Sequence, residues 1–297
     1  MSEVHIAETA VSDEASGPYA LATGPDGALW FTLVHRGSIG RLVPGGEPTL
    51  YPIGPQSRPT VITPGPDGAL WYTGYGSHTV GRVSTDGEIT EFPLPTAECG
   101  PFGITSGPDG ALWFTETAAG RIGRITTDGE VTEFALPNAE AFPSAIVPGP
   151  DSRLWFTMNQ ANAIGAVDVS GAVEVHELPT EAAAPVGITA TDDAVWFVEI
   201  GAGQIGRVTA DGKVAEFPLP DRASRPHAIA PDASGTLWFT EWGANRVGRF
   251  DSSGGLSVHD LPTPGSEPHG IALGPDGAMW AALEIGSLAR ISDVTGA

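Results

Sequence analysis

Along most of the chain, apolar and polar residues alternate over short runs, the period of a half-buried β-strand, and no segment shows the 3.6-residue period of an amphipathic helix. The stretch 101–137, PFGITSGPDGALWFTETAAGRIGRITTDGEVTEFALP, shows the pattern whole: four short runs divided by turn chemistry. In Gly-Pro-Asp-Gly, proline stands where a β-turn wants φ near −65° and glycine where φ turns positive. Thr127-Asp128-Gly129 is a hairpin signal between two apolar runs.

The pattern repeats. Trp30, Trp71, Trp113, Trp155, Trp196, Trp238 and Trp280 recur at intervals of 41 or 42 residues, each inside the same template. Four strands per repeat and seven repeats predict an all-β fold, a seven-bladed β-propeller with four-stranded blades, forming one domain over 1–297. The last repeat stops after Leu288-Ala289-Arg290-Ile291, one strand short, while Glu3-Val4-His5-Ile6-Ala7-Glu8 precedes the first. The N-terminal strand is therefore expected to complete blade seven and leave no open edge.

Composition narrows the partners. Asp and Glu number 36 against 14 Lys and Arg, a formal net charge of −22, which repels phosphate backbones and anionic membrane surfaces. Neither nucleic acid nor membrane is expected as a partner. One cysteine, Cys99, makes no internal disulfide and lacks a histidine at any fixed spacing, so it is read as inert. The N-terminal run has no basic or apolar signal region and no 18-residue apolar span occurs, so a cytoplasmic monomer is expected. Gly201-Ala202-Gly203-Gln204-Ile205-Gly206 fits a dinucleotide fingerprint but sits in a blade loop with no helix to follow. The repeated arginines, such as Arg82, Arg124, Arg207 and Arg249, are read as solvated or bridged to acids of their own blade.

Seven copies of one unit also show where the unit departs from itself. The slot after each blade-opening proline reads Tyr19, Thr60, Phe102, Ser144, Val186, His227, His269. Equivalent slots recur around a propeller axis, so these side chains should form one ring, with two histidines in adjacent blades. Glu267, two residues before His269, replaces small residues elsewhere, and extended geometry would aim both to one side. Glu284 follows Trp280 in a loop one residue shorter than its counterpart in blade six, where blade seven reads Ala281-Ala282-Leu283-Glu284. Two such carboxylates are a modest divalent-cation site or two solvated rim acids. Tyr19, Tyr75, Phe102 and Trp242 are candidate walls of the same mouth, or packing between blades. His5, His35, His78, His176 and His259 have no partner pattern and are read as surface.

The runs Arg225-Pro226-His227-Ala228-Ile229, Glu267-Pro268-His269-Gly270-Ile271, Gly17-Pro18-Tyr19 and WFTEWGANRVGR at 238–249 resemble the virginiamycin B lyases, or streptogramin B lyases, over essentially the whole chain. The resemblance implies a lyase that linearises cyclic depsipeptide lactone antibiotics, conferring resistance, by Mg²⁺-dependent elimination at the threonyl ester. It implies His269 as general base, His227 as its partner in substrate binding or proton transfer, Glu267 and Glu284 as metal ligands, and Tyr19 and Trp242 as substrate-pocket residues. The residue types suit the chemistry: histidine titrates where a neutral-pH base must, and a cation on carboxylates can hold charge developing on a carbonyl oxygen. A metal-dependent lactonase and a non-catalytic binding propeller are the alternative readings.

Overall fold

The structure, a computed structural model, describes residues 3–250 and 255–294. The described residues form seven four-stranded antiparallel sheets, each running in sequence order from an inner to an outer strand except the last. There, Glu3–Ala10 pairs antiparallel with Ser287–Val294 over eight positions, from Glu3 opposite Val294 to Ala10 opposite Ser287. The expected closure by the N-terminal strand is observed. Each inner strand packs against the inner strand of the next blade, and Pro268–Leu273 returns to Pro18–Thr23, so seven inner strands circle one axis. No described helix is long and apolar enough to cross a membrane.

Two side-chain devices explain the repeat. In six blades a second-strand aromatic ring lies over the glycine paired with it on the third strand, as Phe114 over Gly123. A β-carbon there would collide with the ring. In blade seven the pair is Ala281 opposite Ala289, so the loss of the Phe-Thr-Glu pattern is a matched exchange of ring and glycine for two methyls. It is not a result of the shortened loop that follows. The aspartate of Gly-Pro-Asp-Gly has a second task beyond its turn. Asp109 Oδ1 accepts from the indole Nε1 of Trp113 at 3.0 Å, and Oδ2 from Nε of Arg124 at 2.6 Å. The same arrangement recurs at Asp26, Asp67 and Asp276. The repeated arginines are thus bridged within their blades, except Arg249, which reaches Asp293 of blade seven at 3.2 Å.

A third device positions the mouth. The threonine of Trp-Phe-Thr crosses to the next blade and donates to the carbonyl of its inner-slot residue. Thr115 reaches Ser144 O at 2.6 Å, and Thr240 reaches His269 O at 2.7 Å. Blades five and seven carry Val198 and Ala282 at this position, so the backbones of His227 and Tyr19 lack that tether.

Candidate active site

The predicted ring exists. The Tyr19 and His269 ring centroids lie 4.9 Å apart, those of His227 and His269 4.9 Å, and those of Tyr19 and Phe102 5.9 Å. The Tyr19 hydroxyl stands 3.5 Å from Nε2 of His227. Below this ring the axis holds a largely apolar cavity of about 220 Å³ lined by Val61, Phe142, Val186 and His227, among others. Above it a second cavity, about 310 Å³, is lined by His35, Arg58, Tyr75, His269 and Glu284, and Tyr19, Phe102 and Phe142 border both.

Two further rings surround the first. The residue before each blade-opening proline has a left-handed backbone in all seven blades: Gly17, Arg58, Gly100, Phe142, Ala184, Arg225 and Glu267. Proline disfavours the right-handed region in the residue before it, and here that residue turns left-handed in every blade. The residue just after each second strand faces it: Val34, Tyr75, Thr117, Asn159, Ile200, Trp242 and Glu284. The two rings are joined by backbone hydrogen bonds. Tyr75 N donates to Arg58 O at 3.2 Å, and Trp242 N to Arg225 O at 3.1 Å. In blades two and six the joined pair is an arginine stacked on an aromatic ring, with the Arg58 guanidinium 5.5 Å from the Tyr75 centroid and that of Arg225 5.4 Å from Trp242. In blade seven it is Glu267 and Glu284, with Glu284 N 2.9 Å from Ser266 O and 3.4 Å from Glu267 O.

This frame corrects two expectations. Glu284 occupies the same slot as Trp242, immediately after the second strand, so the shorter loop beyond it does not aim the carboxylate. Glu267 is not extended, with φ 47°, and does not point with His269. Its exposed side chain lines a neighbouring depression of about 740 Å³ together with Arg222, Arg225 and Trp242.

His35 corrects a third. It is not an idle surface residue: its Nε2 lies 2.5 Å from Glu284 Oε1, while Nε2 of His269 lies 2.9 Å from Glu284 Oε2. Burial pushes the Glu284 carboxyl up, but the two imidazoles more than offset this and hold it below its ordinary value, so it is ionised. Burial, and then the nearby His269, depress His227 to about 3, so its ring stays neutral at pH 7. Burial, followed by the charge of Glu284, raises the Tyr19 phenol above its ordinary range, leaving it a donor. His176 is also not at the surface, since it stacks on Trp155 at 5.2 Å where blade three has Phe134 on Trp113. His5 is exposed as expected. Cys99 is buried and its thiol is pushed up to about 12 by that burial and by Glu116, in keeping with an inert residue.

The constellation at the axial mouth therefore holds a carboxylate between two imidazoles, a neutral histidine, a phenol and an unpaired guanidinium. The model of the virginiamycin B lyase family matches residues 4–291. The chain belongs to this family. Virginiamycin B lyase from Staphylococcus aureus is 40% identical with a TM-score of 0.94, over 98% of this chain and 100% of that one. A catalytically inactive histidine-to-alanine variant of the S. aureus enzyme, crystallised with quinupristin, is 38% identical with TM-score 0.94 over the same shares. Virginiamycin B lyase from Saccharopolyspora erythraea is 62% identical over 48 residues, which is 16% of this chain and 16% of that protein. The chain thus spans about a sixth of that curated relative in the matched stretch.

The resemblance implies a divalent cation, and the acidic residues at the mouth are its candidate ligands. No three Asp, Glu, His or Cys side chains among the described residues are grouped to cage a metal. Glu267 and Glu284 are neighbours through the backbone contact of Glu284 N with Glu267 O, although their side chains line adjacent cavities and would have to turn toward each other to share a cation. Two hard oxygen donors with water completing the shell suit Mg²⁺. Both Glu284 oxygens already have imidazole partners, so a cation there must displace or share one of them.

Proposed function

We propose that this protein is a carbon–oxygen lyase that linearises cyclic streptogramin B-type depsipeptides by β-elimination at the threonyl ester, with Mg²⁺ as cofactor. The observation that carries the reading is the His269–Glu284 pair facing the mouth cavity beside Tyr19, within a chain whose family match covers almost its full length.

In this reading Nε2 of His269, the ring nitrogen on the cavity side, gives up its contact with Glu284 Oε2 when substrate binds; with the ring hydrogen on Nδ1, the lone pair of Nε2 takes the threonyl α-proton. The electron pair of the Cα–H bond becomes the Cα=Cβ double bond, the Cβ–O bond breaks, and its pair stays on the departing carboxylate. Glu284 then balances the imidazolium that forms, and the bond from Thr240 to His269 O keeps the ring in register. His227, being neutral, and the Tyr19 hydroxyl offer hydrogen bonds to the substrate's amide groups rather than a mobile charge. Mg²⁺ held by Glu267 and Glu284 would supply positive charge to the carbonyl oxygen next to the ionising α-carbon.

The test is the mass of the product. Elimination gives a linear product of the same mass as the cyclic substrate, with a conjugated double bond. Mass spectrometry of a streptogramin B reaction run in ¹⁸O-water should show no added mass and no label. A product one water heavier, carrying the label, would replace this reading with hydrolysis.

A further inference from the structure

The protein is strongly acidic, so its basic groups are scarce and most are spoken for. Ten of the 14 Lys and Arg side chains hold a carboxylate. Arg58, Arg121, Arg222 and Arg225 make no ion pair among the described residues. The charges of Arg121 and Arg222 act on the buried Glu116 and Glu199 of their own blades. Arg225 belongs to the depression beside Glu267. Only Arg58 lines the cavity shared by His269 and Glu284.

Its placement is built rather than incidental. Arg58 carries a left-handed backbone, φ 46°, immediately before Pro59, a conformation unfavourable for a residue with a β-carbon. The guanidinium lies over the Tyr75 ring at 5.5 Å, and Tyr75 N is bonded to Arg58 O at 3.2 Å. Stacking fixes the plane of the guanidinium but satisfies none of its five N–H donors, which leaves its fork free for a planar anion.

The elimination described above, on which this inference rests, creates such an anion. Before the reaction the ester is neutral. Afterwards the proton and its positive charge are on His269, and the electron pair of the broken Cβ–O bond is on a carboxylate. Glu284 balances the first charge. We infer that Arg58 receives the second, accepting the departing carboxylate in a forked, charge-assisted contact as the C–O bond breaks. Such a contact strengthens as charge develops, so it lowers the barrier rather than merely tightening substrate binding. It also favours esters whose leaving group is a carboxylate, and it holds the opened product until release.

The experiment uses the full chain and compares wild type, Arg58→Ala and Arg58→Lys for kcat, KM and product affinity. Arg58 is exposed, so the variants should fold, which circular dichroism and the thermal midpoint confirm. Arg58→Ala should lower kcat by about 10- to 100-fold with little change in KM, and Arg58→Lys should recover part of the loss. A second readout needs no turnover: binding of the linear product compared with the same peptide ending in a primary amide. Wild type should prefer the carboxylate by about tenfold, and Arg58→Ala should show no preference. A kcat within about twofold of wild type, or a carboxylate preference that survives Arg58→Ala, overturns the assignment while leaving the elimination intact. A wild-type product one water heavier overturns both.

Discussion

Nε2 of His269 and Oε2 of Glu284 are 2.9 Å apart, and the register of two adjacent strands sets that distance. Pro268 pairs antiparallel with Leu283, so His269, one step along its strand, and Glu284, one step past the end of the other, are diagonal neighbours whose side chains meet at the mouth. The carboxylate thus serves the base and lies beside Glu267 at once.

Loss of the two members should therefore differ. Without His269 nothing accepts the α-proton, so His269→Ala should lose about 10²–10⁴-fold or more in rate at every Mg²⁺ concentration. Glu284→Gln removes a charge, and added Mg²⁺ should partly restore its activity. Initial rates against Mg²⁺ for wild type and both variants check this, with EDTA-treated enzyme as the zero point. Full activity in EDTA would contradict the metal's role, and a His269→Ala variant within a few-fold of wild type would contradict the base.

His35 should matter through Glu284 alone. Its exposed ring holds Oε1 at 2.5 Å and leaves Oε2 to His269. His35→Ala should cost less than about tenfold in kcat, because the contact is solvent-screened, and His35→Gln should recover much of it by donating to the same oxygen. A loss as large as that of His269→Ala would instead make His35 a second base.

Ring closure predicts a stability cost far from the chemistry. Removing residues 1–10 exposes the edge of Ser287–Val294 and strips eight paired positions from blade seven, the blade that carries His269 and Glu284. It also deletes Glu8, whose carboxylate holds Thr263. Loss of even about 3 kcal/mol would lower the thermal midpoint by roughly 5 °C in a chain of this size, with activity falling in parallel. An unchanged midpoint would show that the strand is dispensable.

Much of this was legible in the chain because a propeller repeats itself. The Trp period gives the blade count, and Tyr19, His227 and His269 stand out as departures at one slot. Glu284, Glu267 and Arg58 belong to two other slots, the residue after the second strand and the residue before the proline. Comparing copies at those slots would have grouped them with Trp242, Arg225 and Tyr75. His35 had no such signal: it follows Val34 in blade one and acquires its role only because the closed ring sets blade one against blade seven. The backbone at Glu267 is not legible for a local reason, since a left-handed residue before proline has no mark in sequence when it is not glycine.

The aspartates of the Gly-Pro-Asp-Gly turns are exposed, yet they should prove to hold the blade as well as the turn. Asp109→Ala leaves the buried indole of Trp113 and the Arg124 guanidinium without their acceptor. The expected cost is about 1–3 kcal/mol, a drop of several degrees in the thermal midpoint. Asp109→Asn should recover the indole bond but not the ion pair and fall between. A midpoint within about 1 °C of wild type for Asp109→Ala would assign the residue to the turn alone.

A pH dependence follows from Glu116. This residue ends the second strand of blade three, is fully buried, and neither carboxyl oxygen has a hydrogen-bond partner. Burial, and then the charge of Glu133, push it up to about 8 from an ordinary value of 4.5, with Arg121 only partly opposing. The native chain therefore keeps a proton that the unfolded chain releases. Its contribution to stability is whole below about pH 4.5, declines as pH rises through the window, and is lost above about pH 8. Glutamine imitates the protonated form and does not titrate. Wild type and Glu116→Gln should thus be similarly stable near the acid end, and the variant should gain on wild type steadily as pH is raised toward 8. Unfolding free energies of both across that range check the sign. A gap that stays constant, or one that closes as pH rises, would mean that Glu116 is ionised in the native protein and paired with Arg121, as Glu241 is with Arg246 at 2.8 Å in blade six.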